Sequence, residues 1–138
     1  MATYQKFQQF VEDIAEKVHN CGSDQFTVAL CATASAPVAT NSVLANLTEI
    51  AYTNLSSRNL TTSSSAQSSG TYTLLFSDLV LTASGGAVAA FQYVVIYNNT
   101  PASPLDPLVG FFDYGSALTL ADGETLTIDF TTSTFTIA

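Results

Sequence analysis

Apolar and polar positions alternate most clearly in the second half of the chain, and that alternation predicts strands. Residues 86–130 contain three apolar runs, 91–97, 108–114 and 117–130, each closed by Gly, Pro, Asn or Asp. β-Branched and aromatic runs punctuated in this way read as consecutive antiparallel strands. Leu118 and Leu120 alternate before Asp122-Gly123, and Leu126, Ile128 and Phe130 alternate after it. Directly paired residues share a face of a sheet. A two-residue Asp122-Gly123 loop pairs Leu120 with Thr125, whereas an odd loop over 121–123 with a left-handed Gly123 pairs Leu118 with Leu126. Burial of one continuous apolar face therefore predicts the odd loop over the usual Asp-Gly hairpin turn.

The start of the chain has a different period. Phe7, Phe10, Val11, Ile14, Ala15 and Val18 recur at spacings of three and four, which predicts an amphipathic helix over 4–19. Gln5, Gln8, Gln9, Glu12, Asp13 and Glu16 form its polar side. Thr3 is the N-cap candidate, Lys17 and His19 complement the negative end of the dipole, and Gly22 supplies the left-handed stop, so the helical segment is 1–22. This helix packs on its own sheet or, alternatively, docks into a neighbouring subunit.

Phe26, Val28 and Leu30 then alternate with Thr27, Ala29 and Cys31 in a strand. A small-residue loop follows, and 43–51 reads equally as a short helix or an extended arm. Residues 53–70 are rich in Ser, Thr and Asn and cannot bury enough apolar surface to offset their ordering entropy, so a surface arm is expected. Strand returns over 71–81, bent near Ser77-Asp78. Pro101, Pro104 and Pro107 mark a loop with a strand beginning at or after Pro107, and 134–137 is a last short strand. The whole, 1–138, fits a single mainly β domain: an antiparallel, jelly-roll-like β-sandwich with one N-terminal amphipathic α-helix.

Composition narrows the function classes. Hydrophobic residues are 47% and charged ones 10%, well below the roughly 25% charged of an average domain. Solvent is therefore met by Ser, Thr, Asn and Gln, a profile that suits a sandwich and also a subunit covered by neighbours. A net charge of −8 argues against nucleic acid and anionic membrane as partners, since phosphates are bound by Lys and Arg. An acidic amphipathic helix is likewise wrong for such membranes. The first twenty residues lack the basic start and apolar centre of a secretory signal, so synthesis and folding in a cytoplasm are expected. Cys21 and Cys31 are then free thiols.

Candidate chemistry is sparse. His19 is the sole histidine, so any Ser-His-Asp or Cys-His arrangement must use it, yet a residue at a helix end is explained by the terminal carbonyls. His19, Cys21 and Cys31 lack the paired spacing and fourth ligand of a zinc site. Asp106, Asp113, Asp122, Glu124 and Asp129 are scattered, and without Trp no platform for sugar stacking exists. No EF-hand-like spacing surrounds Asp106, and Gly85-Gly86 is not a phosphate loop. No catalytic residue, cofactor or metal is assigned, and the chain is read as non-enzymatic. Asp113, between Phe112 and Tyr114, stands out as a strand acid that either satisfies a backbone donor or bridges to another subunit. In 91–97, Phe91, Tyr93 and Tyr97 share one face while Val94 and Ile96 share the other, so both faces are buried. The second face meets the helix or another protein chain.

Gln5-Lys6-Phe7, Phe10-Val11-Glu12, Gly22-Ser23-Asp24, 26–30, 37–50, Gly85-Gly86, Asp113-Tyr114-Gly115-Ser116 and Leu120-Ala121-Asp122-Gly123-Glu124-Thr125 resemble small virion structural proteins of tailed bacteriophages. The resemblance covers most of the chain outside 53–70 and rests on turn and strand signatures. It implies a capsid decoration (cement) protein, a small β-sandwich that sits as a trimer on the major capsid protein. The implied location is the virion, assembled in the host bacterial cytoplasm. The expected assembly residues are Phe91, Tyr93 and Tyr97 on the strand, Phe7 and Phe10 on the helix, Leu55 and Leu60 on the arm, and Asp113. A tail or neck component is the alternative within the same class. A carbohydrate-binding receptor module is the rival from another, disfavoured by the absence of Trp.

Overall fold

The computed structural model describes residues 2–130 and 135–138. Its strands are β1 (Thr3–Lys6), β2 (Phe26–Cys31), β3 (Thr62–Ser68), β4 (Thr71–Phe76), β5 (Leu79–Thr82), β6 (Phe91–Asn98), β7 (Leu108–Leu118), β8 (Thr125–Ile128) and β9 (Phe135–Ile137), with one α-helix, α1 (Gln9–Ala15). All pairings are antiparallel, in a four-stranded sheet β1-β7-β6-β2, a three-stranded sheet β3-β4-β9 and a two-stranded sheet β5-β8. The result is a mainly β, sandwich-like protein. The large sheet forms one layer and the two small sheets supply the residues that face it.

Strand β6 is the middle of the molecule because it is apolar on both sides. Val94 and Ile96 join Val28, Leu30, Leu74, Phe76, Leu81 and Ile128 in the main core. Val95 and Tyr97 belong instead to a second core with Ala29, Cys31, Leu108, Phe111 and Phe7. Burial on both faces follows the sequence reading, but the cover of the second face does not. Leu44 and Leu47 from the protein's own loop lie there, and α1 does not. That loop is stitched down by Leu44 N–H to the Asp106 carbonyl at 2.9 Å and Leu108 N–H to the Ser42 carbonyl at 3.0 Å. The Asn46 side chain accepts the Val43 N–H at 3.1 Å and so closes the short 3₁₀ turn Leu44–Asn46.

The expected helix over 4–19 is corrected to a strand and a short helix. Tyr4 lies over Gly110 of β7, where a Cβ would overlap the Tyr4 phenol and stand 2.8 Å from the Gln5 carbonyl. The missing side chain opens a slot that the ring fills, and this contact draws 3–6 into the sheet against the helical period. Helix α1 ends at Ala15, and its left-handed stop is Lys17, not Gly22. Lys17 has φ 67°, Val18 N–H reaches the Asp13 carbonyl at 2.9 Å, and Lys17 N–H reaches that of Ile14 at 3.4 Å. This is the Schellman arrangement. Val11 of the expected apolar stripe is 55% exposed, while Asp13 of the expected polar side is buried.

One further expectation is overturned. The 117–130 hairpin does not form as a ladder: β8 pairs with β5, Leu126 opposite Leu81 and Ile128 opposite Leu79. Gly123 is left-handed (φ 84°), but in a turn closed by Glu124 N–H to the Ala121 carbonyl at 2.9 Å. The apolar face is buried through a non-local partner. Residues 53–70 carry regular backbone pairing. Residues 58–60 lie along β2, with Val28 N–H to the Arg58 carbonyl and Leu60 N–H to the Phe26 carbonyl, each at 2.9 Å. Residues 62–68 are strand β3. The expected last strand is observed as β9, and its proposed first residue, Thr134, lies outside the described residues.

Candidate assembly surface

Most residues expected to meet a partner are packed inside the protomer. Phe7 and Phe91 are fully buried, and Phe10, Leu60 and Tyr97 nearly so. Phe91 also changes sides. The β6–β7 register jumps from Phe91 opposite Leu118 to Tyr93 opposite Asp113. This bulge turns Phe91 toward Val94 and Ile96 in the main core. Leu55 and Tyr93 are half-buried, Leu55 against the main core and Tyr93 against the second.

Asp113 is explained locally. Its Oδ1 accepts from Gln92 Nε2 at 2.9 Å and from Gly115 N–H at 2.7 Å, and these two bonds hold its carboxyl below the ordinary carboxylate range. Gln92 in turn accepts from the Thr33 hydroxyl at 2.9 Å. The relay fixes the left-handed Gly115 (φ 78°) inside the bulge. Asp113 therefore satisfies a backbone donor, the first of its two expected roles.

His19 is turned inward, not toward helix carbonyls. Its ring sits between Phe10 and Phe26, with centroid distances of 5.1 and 6.3 Å. Nδ1 meets Asn98 Nδ2 at 3.0 Å, and Nε2 lies 4.0 Å from Asp13 Oδ2. Burial pushes the His19 pKa down, against the pull of Asp13 and Asp24. Cys21 interacts with Tyr72, and burial raises its thiol pKa. Because the ring nitrogens address Asn98 and Asp13, this geometry does not build the Cys-His pair that the spacing suggested. Cys21 and Cys31 are free and belong to the two separate cores. Among the described residues no three of His, Cys, Asp or Glu lie close enough to hold a metal ion.

The sole arginine is a device the sequence reading missed. The Arg58 guanidinium lies 3.7 Å from the Tyr52 ring centre, donates to the Val28 carbonyl at 2.6 Å and stands 3.9 Å from Glu49. The Tyr52 hydroxyl donates to Glu49 at 2.5 Å and accepts the Leu30 N–H at 2.9 Å. One cation thus pins the 49–58 segment to the edge of β2. The signal available in the sequence was a single Arg beside Tyr52 and Glu49 in a run of Ser, Thr and Asn.

Among the described residues, two exposed surfaces stand out. One is a pair of shallow depressions of about 290 and 600 Å³ that share Ile14 and Ile137, with Lys6 bordering the first and Lys17 the second. Val11 and Ile137, 55% and 45% exposed, give its apolar floor to solvent. The other is the edge strand β3, which lies in a run, 59–77, without a charged side chain. Comparisons of this chain with protein-family models, with curated proteins and with solved structures return no match, so the geometry and the residues carry the functional reading.

Proposed function

We propose that this protein is a non-enzymatic virion structural protein of a tailed bacteriophage, a capsid decoration (cement) subunit that stabilises the shell through subunit contacts. On this reading the two-layer fold is a jelly-roll-like variant, copies associate as trimers, and the second partner is the major capsid protein. The observation that carries it is the charge-poor surface, above all the largely exposed edge strand β3, which has no charged side chain. Such a surface loses little on desolvation when another protein covers it, because the cost of burying charge is absent. The resemblance of the opening residues and turn signatures to small virion proteins points the same way.

The test is quantitative mass spectrometry of purified particles. Decoration gives a copy number in fixed proportion to the major capsid protein and loss of the chain from isolated tails. Recovery with tails alone reassigns the protein to the tail or neck. Absence from particles rejects the proposal.

A further inference from the structure

Sheet edges are the places where a β protein invites another chain, and native monomers blunt them with charges, proline, short length or a covering segment. Most edges here are blunted. β2 is covered by 50–60 through Val28, Leu60 and Ile50 N–H bonds to the Arg58, Phe26 and Leu30 carbonyls. β1 has four residues and carries Lys6. β5 and β8 have four each; the Thr82 carbonyl of β5 accepts the Ser56 N–H at 3.0 Å, and β8 is flanked by Glu124 and Asp129. β9 has three. Strand β3 departs from this pattern, with seven residues, no charge and no proline, and its one register shift, between Thr62 and Ser64, leaves 64–68 regular up to the turn.

The hairpin geometry says which of its backbone groups face outward. Ser69 (φ 51°) and Gly70 (φ 83°) are both left-handed, the signature of a two-residue type I′ turn. Ser68 and Thr71 are then a hydrogen-bonded pair, as are Ala66 with Thr73 and Ser64 with Leu75 in the observed register. The N–H and C=O of Ser65 and Gln67 consequently point away from β4.

We infer that β3 pairs antiparallel with β3 of a second copy across a two-fold axis. The choice of a second copy rests on charge. Each molecule carries −8, so two copies repel across most surfaces, but their β3 edges meet without like charges in the seam. A strongly charged foreign strand finds no counter-charge there. The outward groups of Ser65 and Gln67 are self-complementary in this orientation, and rows of Ser, Thr and Gln hydrogen-bond to their own kind. The inference rests on the reading of the chain as an assembling subunit. A two-fold seam is distinct from the contacts of a trimer, so in a particle it links one trimer to the next.

Sedimentation velocity at chain concentrations up to about 1 mM tests this with wild type, Gln67→Pro and Ala66→Glu. Gln67→Pro removes an outward N–H while leaving the β3–β4 bonds, and proline is tolerated on edges. Ala66 is exposed, and a glutamate there brings carboxylates together in the seam. The wild-type particle is expected to have twice the mass of either variant if the underlying unit is a monomer, and at least twice if it is a trimer, which carries three such edges. Equal masses for all three overturn the pairing. A trimer unmoved by both changes discards β3 while leaving the virion reading intact, which the copy number per particle tests separately. Near-ultraviolet circular dichroism verifies the fold, and if Gln67→Pro unfolds, Ala66→Glu decides alone.

Discussion

Asn98 fixes the proton of His19. The Asn98 carbonyl oxygen accepts the Thr100 N–H at 3.1 Å, and its amide nitrogen donates both to Asp24 at 2.6 Å and to His19 Nδ1 at 3.0 Å. Nδ1 must therefore be an acceptor, and the neutral ring carries its proton on Nε2, facing Asp13. Protonating Nδ1 would set two donors against each other inside the protein.

Stability is therefore expected to fall under mild acid. The folded His19 pKa lies below its ordinary 6.5, so the unfolded chain takes up the proton first. Stability is fully present above the unfolded value and declines as pH drops from there through the folded value. Urea denaturation at pH 7.5 and 5.5 should show lower stability at 5.5, with the difference largely removed in His19→Gln. Equal or greater stability of the wild type at pH 5.5 contradicts the tautomer.

Gly110→Ala is expected to expel β1. The new Cβ would overlap the Tyr4 ring that occupies the slot, and overpacking of this kind costs about 1–3 kcal/mol. The Tyr4 phenol, pushed up to about 12 by burial, should titrate closer to its ordinary value in the variant. A variant as stable as wild type, with Tyr4 still shifted, contradicts the account of β1.

Arg58→Ala removes a stacking contact, a charged hydrogen bond and an ion pair together. A loss of about 2–3 kcal/mol is expected. Arg58→Lys should recover less than half, because an ammonium cannot lie flat on Tyr52 and reach Val28 at once. Hydrogen exchange at the Val28 and Leu30 amides reads the same event locally. Full rescue by lysine would show that charge alone matters.

Lys17→Gly tests the end of α1. A left-handed non-glycine residue costs about 1–2 kcal/mol, and glycine returns part of that gain through its unfolded-state freedom. A net stabilisation of up to about 1 kcal/mol in chemical denaturation is expected. A destabilised variant would mean that the Lys17 side chain does more than occupy a helix stop.

Local patterns made part of this architecture legible. Phe26–Cys31, the break at Ser77-Asp78, the double-faced β6 and the start of β7 after Pro107 all follow from alternation and proline placement. The misses share one physical cause, a partner distant in sequence. Tyr4 leaves a helical pattern because Gly110 offers a slot, and Leu126 and Ile128 ignore the adjacent leucines because Leu81 and Leu79 are there. The Phe91 bulge and the Leu44–Leu47 cover likewise depend on tertiary contacts that no short window contains. Strand β3 had a local clue, Ser69-Gly70, hidden by the polar composition around it. The expected assembly residues were chosen for apolarity, and burial within the protomer claimed most of them. The uncharged strand β3 and the Ile14–Ile137 surface were left exposed.

The most direct measurement is a cryo-electron density map of the assembled particle. The account expects the four-stranded sheet and the β3–β4 hairpin to be recognisable in a subunit repeated over the outer face of the capsid. A map whose every protein density is accounted for by other chains contradicts it.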